Sequence, residues 1–105
     1  MHVLMISYKS GLPMERVQQL FLERSERYRQ VAGLQQKLYL RDPSTGEVGG
    51  LYLFDSKKDL DAFRNSDLEK SIERVYRVTG PLAIRTFEVV QTLHTQQPSS
   101  IAAAR

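Results

Sequence analysis

Apolar residues recur along this chain with two different periods, and the switches between them outline the elements. His2 to Tyr8 reads HVLMISY. Val3 and Met5 alternate there with Leu4, Ile6 and Tyr8, which predicts a strand buried on both faces. After Gly11 and Leu12 the spacing lengthens, and Met14, Val17, Leu20, Phe21 and Tyr28 recur every three or four positions. That is the stripe of an amphipathic helix running to about Gln30, with Pro13 at its first helical position and Gly33 as a left-handed stop. Leu34 to Arg41 returns to period two, with Leu34, Gln36, Leu38 and Leu40 on one face and Gln35, Lys37, Tyr39 and Arg41 on the other. Turn residues Asp42 to Gly46 then lead into Val48 to Phe54, completing a hairpin.

Two helix starts follow closely. Ser56 with Asp59 resembles a capping box, and Ser66 with Glu69 is a full one. The first opens a short helix carrying Leu60 and Phe63, the second another carrying Leu68, Ile72, Val75 and Tyr76. Gly80 and Pro81 are expected to stop that helix, and Leu82 to Leu93 to form a long last strand rich in β-branched residues. From Thr95 the pattern dissolves. The expected organisation is one domain over residues 1–94 with a flexible tail over 95–105.

The element order β-α-β-β-α-β defines an α+β, ferredoxin-like split β-α-β arrangement, an antiparallel sheet with its helices on one face. Several strands carry apolar residues on both faces, so the helix-free face needs a cover. A second copy of the chain related by a two-fold axis is the economical one, and a homodimer is expected.

Composition narrows the chemistry. The chain has 105 residues, 41% hydrophobic and 26% charged, which is a globular composition with room for one core. Cysteine is absent and the only histidines are His2 and His94, so thiolate chemistry is excluded and no metal site is expected. The net charge of +3 arises from 15 basic and 12 acidic residues, and along the two helical regions the two signs are interspersed. This mixture reads as solvated helix faces with i,i+3 and i,i+4 pairs, not as a nucleic-acid surface. An RNA-recognition platform on the third strand fails as well. With Gly49 as the motif glycine, Val48, Gly50 and Asp55 stand where a base and two aromatics are needed. The apolar opening, Met1 to Ile6, is too short for a signal or membrane segment, so a cytoplasmic protein without a membrane partner is expected.

Val48-Gly-Gly-Leu-Tyr-Leu-Phe54 followed by Ser56 to Phe63, together with the helix exit Val31-Ala-Gly33-Leu34, resembles the YdhR-type mono-oxygenases of the dimeric α/β-barrel superfamily. The likeness extends over roughly residues 3–90. It implies a small oxygenase acting on an aromatic or polyketide-like compound without flavin, metal or other cofactor, because the deprotonated substrate itself reduces oxygen. The protein would supply a water-poor pocket between sheet and helices and polar groups that stabilise the anion. The haem-degrading branch is disfavoured, since it implies an axial histidine and a tryptophan, and this chain has no tryptophan.

Arg85, Tyr8 and Tyr52 are the candidate site residues. Arg85 stands among Leu82, Ala83, Ile84, Phe87, Val89 and Val90, where a guanidinium needs an anion, a carboxylate across a seam, or solvent. Tyr8 and Tyr52 are phenols on neighbouring strands, to be set beside Tyr28, Tyr39 and Tyr76; packing with a satisfied hydroxyl is the competing role. His94, at the end of the last strand, is expected at the surface. A non-catalytic module that binds a small molecule or only dimerises is the alternative reading.

Overall fold

In a computed structural model, which describes residues 1–95, the elements follow the expected order: β1 (His2–Ser10), α1 (Met14–Arg29), β2 (Leu34–Arg41), β3 (Val48–Phe54), α2 (Lys57–Arg64), α3 (Asp67–Lys70), α4 (Ile72–Val75) and β4 (Val78–Glu88). The strands form one antiparallel sheet in the order β2-β3-β1-β4. This is the ferredoxin-like α+β fold.

The register decides which side chains reach the core. Leu4 pairs with Tyr52, Ile6 with Gly50 and Tyr8 with Val48, and all of these are buried together with Phe54. The other face of β1 is half-buried in the single chain, so the strand is enclosed on one side only. Val3, Met5, Leu51, Leu53, Leu38, Leu40 and Phe87 occupy that second face, and Leu38, Leu40 and Phe87 are exposed. From the helices, Val17, Leu20, Tyr28, Leu60, Phe63, Leu68 and Ile72 complete the core.

Pro13 is the N-cap of α1 instead of its first helical residue. Gly33 does adopt a left-handed φ of 74°, and a Cβ there would collide with the Asp59 side chain, so β2 can leave α1 beside the start of α2 only through a glycine. The Ser56 hydroxyl accepts a hydrogen bond from the Asp59 amide and donates one to its carboxylate. The Ser66 hydroxyl caps the Glu69 amide, whereas the Glu69 carboxylate turns to Arg64.

The later half corrects the sequence reading at three points. What was read as two short helices is three, α2 to α4, with Ser71 between the last two. Gly80 and Pro81 do not stop a helix. Tyr76 caps α4, Arg77 turns the chain at φ 49°, and both Gly80 and Pro81 lie inside β4. The β1–β4 register shifts between Ser7 and Lys9, an irregularity that accommodates Gly80 at φ 82°. Because β4 is an edge strand, the missing amide of Pro81 costs no inner ladder bond. Finally, β4 ends at Glu88, not Leu93. Its partner strand starts at His2, opposite Glu88, and one step further the Val89 amide still finds a carbonyl, that of Met1. Val90 and Leu93 are exposed. Thr95 follows without regular structure; the rest of the expected tail, 96–105, lies outside the described residues.

A cation and tyrosine cluster between α1 and the sheet

The space expected to be hollow beneath the helices is largely filled by tyrosines. Tyr8, Tyr28, Tyr52 and Tyr76 are all buried. Their rings meet one another and Phe63 in tilted pairs, with centroids 5.6 Å apart for Tyr8–Tyr76, 6.0 Å for Tyr28–Tyr52 and 5.1 Å for Tyr52–Phe63. Burial raises the pKa of each of these four phenols above the ordinary tyrosine value, outweighing the opposing influence of Arg24 on Tyr8, Tyr28 and Tyr76. They therefore stay protonated at neutral pH and can act as hydrogen-bond donors but not as bases.

Two cations enter this cluster. Arg24 lies on the apolar stripe of α1, four residues after Leu20 and four before Tyr28, and is 7% exposed. Its Nη2 donates to the Ser71 hydroxyl at 2.8 Å and to the Leu68 carbonyl at 3.3 Å. The guanidinium carbon stands 5.7 Å from the Tyr76 ring centre. No carboxylate of the described residues pairs with it, and its buried Nε has no hydrogen-bond partner. The reading of the helical charges as solvated faces fails at this residue.

Lys37 comes from β2. A register shift between Leu34 and Gln36 pairs Lys37 with Tyr52 and Tyr39 with Gly50, so Lys37 and Tyr39 turn towards the helices while Leu38 and Leu40 turn away. The Lys37 Nζ lies 3.3 Å from the centre of the Tyr28 ring, 4.4 Å from that of Tyr39 and 4.8 Å from that of Tyr52. Burial, and then the charge of Arg24, push its pKa down to about 6.

The twin glycines of β3 make this arrangement possible. A Cβ on Gly50 would stand 3.1 Å from both Lys37 Cε and Tyr52 Cε1, whereas one on Gly49 would run into the Ile6 carbonyl of β1. One glycine thus admits the lysine and tyrosine, and the other permits the close approach of two backbones. The cluster opens to solvent through a cleft of about 340 Å³ between α1 and β2, lined by Ser25, Tyr28, Arg29, Lys37 and Tyr39 together with residues 34–36. Its volume lies within the range of small-molecule sites.

Of the residues singled out from sequence, Tyr8 and Tyr52 belong to this cluster, and Tyr52 forms part of the wall around Lys37. Arg85 lies on the opposite, helix-free face, opposite Met5, with its guanidinium 4.7 Å from the Phe87 ring centre. His94 is exposed beyond the end of β4. His2 lines a separate cleft beside α2. Sequence reading passed over Arg24 and Lys37. The signal for the first was a charge at a stripe position of α1, and for the second the choice of β2 face.

An antiparallel four-stranded sheet with helices on one face defines a ferredoxin-like α+β domain, here with a basic, tyrosine-lined cleft at its β2 edge. Residues 3–100 match the family model described as "Putative mono-oxygenase ydhR", and the chain belongs to that family. Solved structures share the fold at low identity. A protein from Deinococcus radiodurans described as a putative antibiotic biosynthesis monooxygenase is 17% identical, with a TM-score of 0.71 over 92% of this chain and 100% of that one. SnoaB, a cofactor-independent oxygenase from Streptomyces nogalater, is 10% identical, with a TM-score of 0.69 over 88% and 95%. The ActVA-Orf6 monooxygenase of Streptomyces coelicolor, solved with the ligand nanaomycin D, is 14% identical, with a TM-score of 0.66 over 90% and 92%. No curated protein matches the sequence. Among the described residues, no helix is long and apolar enough to cross a membrane.

Proposed function

We propose that this protein is a cofactor-independent mono-oxygenase that oxidises a small aromatic or polyketide-like compound held in the cleft between α1 and β2. The observation that carries the reading is Arg24, a buried guanidinium without a carboxylate partner among the described residues, set against the Tyr76 ring within the protonated tyrosine cluster that opens into that cleft through Tyr28. Fixed positive charge and hydroxyl donors in a water-poor site stabilise an organic anion far better than solvent does. Such an anion, once formed from an electron-rich substrate, can give its electrons to oxygen directly. For an activated methylene the balance is CH₂ + O₂ → C=O + H₂O: one oxygen atom ends on the substrate carbon, the other leaves as water, and no outside reductant is consumed. Family membership, and the relatives described as a cofactor-independent oxygenase and as a ligand-bound monooxygenase, support the same chemistry.

The active form in this reading is a homodimer joined through the helix-free face, where Leu38, Leu40 and Phe87 stand exposed beside Val3, Met5, Leu51 and Leu53. A patch of this kind on a lone subunit calls for a cover.

The test is oxygen uptake with a panel of phenols, quinols and anthrone-like compounds, coupled to mass spectrometry of products formed under labelled oxygen. Incorporation of one labelled atom per product is the expected result. Binding of panel members without uptake would instead favour a non-catalytic module that holds a small molecule.

A further inference from the structure

The mono-oxygenase reading needs the substrate as an anion, and a fixed guanidinium cannot accept a proton. The four buried tyrosines cannot either, since burial holds them protonated. We propose that Lys37 takes the proton from an acidic phenol or enol bound in the α1–β2 cleft, so that the ligand is ionised on arrival and the new ammonium is held among three tyrosine rings with the anion against it.

The geometry favours this assignment over a structural lysine. Its Nζ makes no hydrogen bond and no ion pair with the described residues, although a half-buried lysine with a structural role is normally paired. The groups facing it are all neutral or cationic. From α1 these are Tyr28, Arg24 and Arg29, the last already paired with Glu26. From β2 comes Tyr39, and from β3 Tyr52. Gln35 in the cleft wall donates to Asp55, which directs that carboxylate to the amide. The Lys37 amine is therefore short of a counter-charge, and it lines the cleft where a ligand would supply one.

The cage fits the product of the transfer. Ring faces 3.3, 4.4 and 4.8 Å from Nζ attract an ammonium but do not offset its burial alone, which is why the amine rests neutral near pH 7, with its pKa at about 6. A ligand anion completes the site. In the step itself the ligand O–H breaks, an N–H forms on Nζ, and two neutral partners become a phenolate and an ammonium with no change in total charge. A base whose pKa lies close to the working pH is also the one best suited to such a transfer.

This inference rests on the cleft being the ligand site but not on oxygen chemistry, and the experiment separates the two. The probe is 4-cyanophenol at pH 7, where the free probe is mostly protonated and its ionised form has a distinct ultraviolet band. Calorimetry in two buffers of different ionisation enthalpy counts protons exchanged on binding. Wild type is expected to bind the probe in ionised form, its apparent pKa lowered by about one unit or more, tenfold in the ionised fraction, with no proton released to buffer. Lys37→Arg, which brings a permanent charge but cannot accept a proton, should release one proton for each phenolate bound. Lys37→Met should leave any bound probe un-ionised. The proposal is overturned if wild type fails to bind the probe, binds it un-ionised, or releases a proton as it ionises, or if Lys37→Met ionises it equally. Intact ionisation without oxygen uptake from any substrate would overturn the mono-oxygenase reading alone. Uptake persisting in Lys37→Met would overturn this one.

Discussion

Gly50 lies diagonally across the β2–β3 ladder from Lys37, and a single added methyl group on it would stand 3.1 Å from the lysine Cε. The adjacent glycine meets a different obstacle, because a Cβ on Gly49 would lie against the Ile6 backbone carbonyl. The first obstacle is the end of a flexible lysine chain and the edge of the Tyr52 ring, at distances that a shift of a few tenths of an ångström relieves, whereas the second is immovable backbone. Gly50→Ala should therefore fold with its stability changed by no more than about 1 kcal/mol while displacing Nζ from its rings and weakening phenol binding. Gly49→Ala should cost roughly 3 kcal/mol or more. Urea unfolding of the two variants checks the contrast, and equal losses would show that the two glycines do not divide the work in this way.

Arg24 acts on Lys37 as a like charge, the second cause after burial of its lowered pKa. Arg24→Met removes that charge while filling similar volume, so the pKa of Lys37 should rise. Nitrogen-15 NMR of the lysine side chains would follow it. The cost to stability should be small, about 1 kcal/mol. The Ser71 hydroxyl still donates to the Leu68 carbonyl at 2.7 Å, leaving neither former partner of Arg24 unsatisfied, and an uncompensated buried cation is lost.

Element order and sheet topology were legible in the sequence because β1, α1, β2 and β3 each carry a clean period with turn residues between them. The candidate site was only half legible. Tyr8 and Tyr52 declared themselves as strand phenols, but Arg24 hid among the alternating charges of α1, where counting signs obscured that it sits between Leu20 and Tyr28 on the buried stripe. Lys37 hid behind a register shift. The alternation of β2 puts Leu38 and Leu40 on one face, and a strand with its leucines inward is the default expectation. The irregularity after Leu34 and the demand of the outer face for apolar residues reverse it. Arg85 falls outside the cluster for the complementary reason. Its apolar neighbours along β4 belong to two different faces, and its own face is the helix-free one.

That face supplies a direct test of the homodimer. Phe87→Asp or Leu38→Glu puts a carboxylate into the exposed apolar surface, so either should convert a dimer to a monomer by light scattering without loss of secondary structure. Arg85→Met should leave both the fold and the thermal shift induced by a cleft ligand unchanged, because Arg85 has no ion pair within the described chain and lies across the sheet from the cleft. If Arg85→Met abolished the thermal shift, Arg85 would have to reach a ligand through the dimer.

Lys37 also leaves a signature in stability that needs no ligand. Its pKa is about 6 in the folded chain against 10.5 for an ordinary lysine. Between those values the unfolded chain holds a proton that the folded chain has released, so unfolding takes up a proton and stability rises with pH. The slope from one such group is at most about 1.4 kcal/mol per pH unit. Lys37→Met lacks this dependence and the penalty that causes it. The variant should be more stable than wild type at pH 7, with the gap widest near pH 6 and narrowing steadily as the pH rises towards the usual lysine range. Urea unfolding of both proteins at intervals from pH 6 to 9 would measure it. Parallel curves would mean that the amine keeps its proton in the folded protein, and that the ring cage holds a permanent ammonium.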